Sequence, residues 1–121
     1  MEKVVGIGGL FFRAENPERL AKWYEENLGV SPVPQDYDQL PWIQEKGPTV
    51  FAPFEQETEY FGNREKPWMI NFRVNDLAAM VSQLQRAGIE VEVDKEQGPM
   101  GQFARLYDPE GNPIELWQPS T

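Results

Sequence analysis

Apolar and polar residues alternate over 4–14, with Leu10, Phe12 and Ala14 on one face and Gly9, Phe11 and Arg13 on the other, which is the period of a strand. The period changes at Asn16-Pro17-Glu18. A capping side chain, a proline suited to the first helical position and a carboxylate that complements the dipole predict a helix start there. Leu20, Trp23, Tyr24 and Leu28 form its apolar face, and Gly29 is a stop signal. Residues 30–33, 39–45 and 49–54 read as three short strands whose limits are blurred by Pro32, Pro34, Pro41 and Pro53. Residues 55–66 have the composition of a linker, yet carry the pair Tyr60-Phe61, which either covers a pocket mouth or anchors the linker to the core.

The pattern then returns. A strand over 68–75 precedes Asp76, which caps a helix with Leu77, Met80, Val81 and Leu84 on one side and Gly88 at its end. Strands follow at about 90–93, 102–107 and 113–118, the last two joined by Asp108-Pro109-Glu110-Gly111-Asn112, a strong turn sequence. Leu10-Phe11-Phe12-Arg13 lies over Ile70-Asn71-Phe72-Arg73, Asn16 over Asp76, Leu20 over Met80, and Gly29-Val30 over Gly88-Ile89. Strand, helix and three strands therefore occur twice. The expected fold is α+β, with two βαβββ repeats in one domain over 1–121: repeat one at about 4–54, a linker at about 55–66, and repeat two at about 67–119.

Strand parity sorts the side chains. If Leu10, Phe12, Ile70, Phe72, Ile114 and Leu116 pack under the helices, then Gly9, Phe11, Arg13, Met69, Asn71, Arg73, Glu115 and Trp117 share the opposite face. Phe51, Phe103 and Arg105 join them by the same argument, with Trp42 and Trp68 at the rim. An aromatic lining with a few polar groups is what small-molecule sites usually have. Glu115 is the candidate catalytic residue, as a general base or a counter-ion; the structural alternative is an ion pair with Arg13, Arg73 or Arg105. Arg13 and Arg73 hold equivalent places in the repeat and either grip an anionic ligand together or reach solvent at their strand ends.

Composition narrows the chemistry. A length of 121 residues suits one core, and four Trp, seven Phe and four Tyr fill either that core or a pocket. A formal charge of −9 repels phosphate backbones and anionic bilayers, which argues against nucleic acid and membrane partners. No Cys is present, so disulfides and thiolate chemistry are excluded. No His is present either, which removes the commonest metal ligand and the commonest general base together. The first apolar run is too short for a membrane span, contains Gly6, Gly8 and Gly9, and follows a Glu2-Lys3 start unlike a signal peptide, so a cytoplasmic protein is expected.

Tyr107-Asp-Pro-Glu-Gly-Asn-Pro-Ile-Glu115-Leu resembles the closing hairpin of the glyoxalase, bleomycin-resistance and extradiol dioxygenase superfamily, the vicinal oxygen chelate proteins. The resemblance extends from Val4 to Gln118. It implies a curved mixed sheet with helices on the convex side, a ligand cleft on the concave side, and pairing into a homodimer. The metal-ligand positions of the family's metal-binding members correspond to Gly9, Phe51, Met69 and Glu115, of which Glu115 alone can bind a hard or borderline cation. The resemblance therefore implies a small-molecule-binding protein without a metal or other cofactor, with Phe11, Arg13, Phe51, Met69, Asn71, Arg73, Phe103, Arg105 and Trp117 holding a planar or cationic ligand. The alternative it leaves open is a lyase, isomerase or dioxygenase, metal-dependent or using Glu115 as base.

Overall fold

A computed structural model describes residues 1–120, with elements α1 (Pro17–Leu28), β1 (Ile70–Arg73), α2 (Leu77–Arg86), β2 (Glu92–Val93), β3 (Gly101–Tyr107) and β4 (Pro113–Pro119). The class is α+β. Both helices begin where a side chain satisfies a free backbone donor: Asn16 Oδ1 accepts from Arg19 N at 3.1 Å, and Asp76 Oδ1 from Ala79 N at 3.0 Å. The first ends at Gly29, whose φ of 72° is left-handed and lets its N–H reach the Glu25 carbonyl. Among the described residues no helix is long and apolar enough to cross a membrane.

The four strands form a mixed sheet in the order β1-β4-β3-β2, in which β4 pairs parallel with β1 and antiparallel with β3. Both β3 and β4 have neighbours on both edges, and β4 is the more deeply buried of the two. Leu20 and Tyr24 of α1 and Leu77, Val81 and Leu84 of α2 pack with Ala104, Leu106, Ile114 and Leu116 of the sheet, and Ile70 and Phe72 border that core. Each fully buried Leu or Ile contributes on the order of 1.5–3 kcal/mol by leaving water. The expected division of strand faces therefore holds for β1, β3 and β4.

The β3–β4 turn is tied to α1 at two points. Asp108, itself buried, accepts from Glu110 N, Asn112 N and Asn112 Nδ2 within the turn, and from the Tyr24 hydroxyl at 2.6 Å. Glu110 accepts from Glu15 N at 2.7 Å and Asn16 N at 3.1 Å, just ahead of the helix. These bonds fix where β4, and with it Glu115, begins.

The first half departs from expectation. Its helix forms, but 4–14, 30–33, 39–45 and 49–54 form no strand, and nearly all of their residues are exposed. A strand gains its bonds only from a neighbour. Gly6, Gly8 and Gly9 lose entropy on ordering and offer little side chain to pack, while Pro32, Pro34, Pro41 and Pro53 lack the amide donor a ladder needs. What joins these segments to the sheet is side-chain contact: Phe12 with Trp68 at 4.9 Å between centroids, Trp42 with Phe72 at 6.5 Å, and an Arg73 bond to the Glu45 carbonyl at 3.0 Å.

Candidate functional site

On the face away from the helices, register and parity stack residues in rungs. Arg73, Trp117 and Phe103 form one, Asn71, Glu115 and Arg105 the next, and Pro113 with Tyr107 a third beside Met69. The first rung is apolar at its centre. Phe103 and Trp117 lie parallel, 6.1 Å apart and 1° between planes, and Trp117 Nε1 donates to the Met100 carbonyl at 2.9 Å, which locks the indole.

The second rung is polar. Glu115 is 6% exposed, and both of its oxygens accept: Oε1 from Asn71 Nδ2 at 2.8 Å, and Oε2 from the Tyr60 hydroxyl. Tyr60 comes from the 55–66 linker. The Arg105 guanidinium lies over its ring, 4.0 Å from the centroid, and donates to its backbone carbonyl. Burial first, and then the Glu115 carboxylate that accepts its hydrogen bond, push the Tyr60 hydroxyl up from 10.0 to about 12. At the Arg105 end of this rung a cleft of about 700 Å³ opens between Phe61, Met69, Arg105 and Tyr107 on one side and Gly88, Ile89, Val91 and Glu92, which follow α2, on the other; Asn71 and Glu115 do not line it.

The structure thus brings Met69, Asn71, Arg73, Phe103, Arg105, Glu115 and Trp117 to one face. It does not bring Phe11, Arg13 or Phe51 there: they lie on unpaired segments, with Phe11 93% and Phe51 83% exposed. Arg13 is therefore no symmetric mate for Arg73, whose guanidinium is bonded to Glu45. Among the described residues Glu115 has no salt bridge. Its partners are neutral donors, and Arg105, the nearest in register of the three arginines considered, stacks on Tyr60 instead. Parity found Asn71. It could not find Tyr60, whose signal was only an aromatic pair in a polar linker.

The metal-ligand set that the resemblance implies does not fit these residues. Glu115 alone among the four positions offers a hard donor: Gly9 has no side chain, Phe51 no lone pair, and the Met69 sulfur is a poor partner for a borderline cation and lies 3.8 Å from a cationic Arg105 nitrogen. A divalent ion would need ligands these positions do not supply.

The glyoxalase-like domain family model matches residues 9–117, nearly the whole chain. The chain belongs to this family. No curated protein matches it. Among solved structures, a protein from the mobile metagenome of V. Pseudocholerae aligns with a TM-score of 0.63 at 17% identity, over 100% of this chain and 99% of its own. TnmS3, described as an antibiotic binding protein from Streptomyces sp. CB03234, aligns with a TM-score of 0.52 at 22% identity, over 88% of each chain. Both likenesses concern the fold. A glyoxalase/bleomycin resistance protein from the same Streptomyces is 35% identical but aligns over only 40% of this chain and 42% of its own, with a TM-score of 0.37. This glyoxalase-like chain thus has the family's fold.

Proposed function

We propose that this glyoxalase-like protein binds a planar small molecule on the sheet face described above, without a metal. The observation that carries the reading is the parallel Phe103–Trp117 pair beside a polar rung of Asn71, Glu115 and Arg105. Phe103, the more exposed of the pair, supplies area and a preferred plane, the buried Trp117 holds that plane from behind, and the neighbouring polar groups fix orientation. The description of TnmS3 as an antibiotic binding protein is in keeping with this reading. Glu115, with both oxygens accepting hydrogen bonds, acts as an acceptor that orients the ligand rather than as a base.

A homodimer completes the proposal. The chain exposes 10045 Å². A folded monomer of 14.0 kDa is expected to expose about 6,700 Å². Val4, Val5, Phe11, Val33, Leu40, Ile43 and Phe51 carry much of the apolar surplus, and a second copy would cover it.

Tryptophan emission during titration with planar aromatics, in buffer containing a chelator, tests the binding claim. Saturable quenching that weakens about tenfold in Phe103→Ala is expected, since the substitution removes a stacking partner and its buried area. Binding that appears only on adding a divalent ion would refute it.

A further inference from the structure

Tyr60 makes contacts that its own loop does not require. The 55–66 segment is held by local bonds: Thr58 N to Glu55 O, Gly62 N to Glu59 O, Asn63 N to Phe61 O, and Tyr60 N to Thr58 Oγ1. Its phenol nevertheless reaches the sheet. The hydroxyl donates to Glu115, the ring lies beneath the Arg105 guanidinium, and Phe54 stacks against it at 5.6 Å and 25°. The residue remains 41% exposed, so the ring rests on the face without being built into the core.

Apart from the Arg105 bond to the Tyr60 backbone carbonyl, these contacts use only an aromatic ring and its hydroxyl. A buried carboxylate positioned by Asn71 accepts the O–H, a cation covers the π face, and an open cleft lies next to the site at Arg105 and Met69. Any planar aromatic with a ring hydroxyl could make the same set, with its remaining bulk extending toward Phe61 and Tyr107. We propose that Tyr60 is a resident surrogate for the ligand, and that the ligand is an aromatic hydroxyl compound that displaces the Tyr60 side chain from Glu115 and Arg105. The ligand enters as the neutral hydroxyl, because a carboxylate acceptor favours a donor that keeps its proton, as it does for Tyr60 itself. This inference rests on the ligand-binding reading above and names its substrate class.

The test compares 2-naphthol with 2-methoxynaphthalene, which differ in the O–H donor, binding to the full chain and its Tyr60→Ala variant by calorimetry. Removing the surrogate should tighten 2-naphthol about tenfold or more, as expected when a hydrogen bond to a charged acceptor becomes available to the ligand, and should change 2-methoxynaphthalene much less. Tyr60→Phe keeps the ring and loses the donor; it should tighten 2-naphthol by a smaller factor, and it carries the test if the alanine variant does not fold. Equal gains for both compounds would reduce Tyr60 to a steric cover and overturn the proposal. Weaker binding of both would make it a wall of the site, which also overturns it. Saturable binding of both compounds with no hydroxyl preference in any variant would sink this inference alone. Absence of binding by either compound and by other planar aromatics would sink the ligand-binding reading with it.

Discussion

Tyr24→Phe isolates one bond on which the position of the site depends. The hydroxyl is 2.6 Å from Asp108 Oδ2, and both residues are buried. The substitution leaves the ring, with its contacts to Trp23 at 5.1 Å and Phe72 at 6.1 Å, in place. A hydrogen bond to a charged acceptor contributes about 1.5–3 kcal/mol. Asp108 keeps its three bonds from Glu110 and Asn112, so it is not orphaned, and the loss belongs at the lower end, about 2 kcal/mol. With an unfolding entropy near 2.1 cal/mol/K per residue, that corresponds to a fall in Tm of about 8 °C. Urea denaturation at pH 7 measures it directly, as a lower midpoint at unchanged slope. Asp108→Asn and the double variant complete a cycle, in which a coupling of at least about 1 kcal/mol is expected. A single-variant loss below about 0.5 kcal/mol, or a coupling near zero, would show that the Tyr24–Asp108 contact does not anchor the turn.

Three further outcomes follow from named contacts. Glu115→Gln should cost about 1–2 kcal/mol in urea, because two hydrogen bonds lose their charge assistance but no ion pair is broken; a loss above about 4 kcal/mol would expose a structural pair after all. Burial and a carboxylate partner raise both Tyr24 and Tyr60 above their ordinary 10.0, so the folded state holds protons that the unfolded chain releases. Their contribution is fully present below pH 10 and is lost as pH climbs, for Tyr60 through about 12; alkaline denaturation should flatten in Tyr24→Phe and Tyr60→Phe, and an unchanged profile would contradict the assignment. Gly101→Ala should cost about 2 kcal/mol or more, since φ is 125° and the added carbon would lie 2.1 Å from the Gln118 carbonyl oxygen; unaltered melting would refute that geometry.

The second half of the chain was legible because its signals are local. Asp76 before an apolar helical face, Gly88 after it, and the turn from Asp108 to Asn112 each specify structure within a few residues. Parity alone then placed Asn71, Arg105, Glu115 and Trp117 on one face. The same reasoning failed for Phe11, Arg13 and Phe51, whose faces have meaning only if their segments pair. Pairing is a property of neighbours, and the glycines and prolines of the first half weaken it. Expecting an arginine beside Glu115 was sound as charge chemistry. It missed the position because Tyr60 arrives from a linker whose path no periodicity encodes, and because Arg105 finds that ring first.

The central claim is metal-free ligand binding on the Phe103–Trp117–Glu115 face. It is tested most directly by calorimetric titration of 2-naphthol into protein dialysed against a chelator, repeated after adding nickel, zinc or iron(II). The account predicts saturable binding near one ligand per chain, equal in strength with and without the ions and weakened in Phe103→Ala. Heat that appears only with an added ion, or binding indifferent to Phe103, would contradict it.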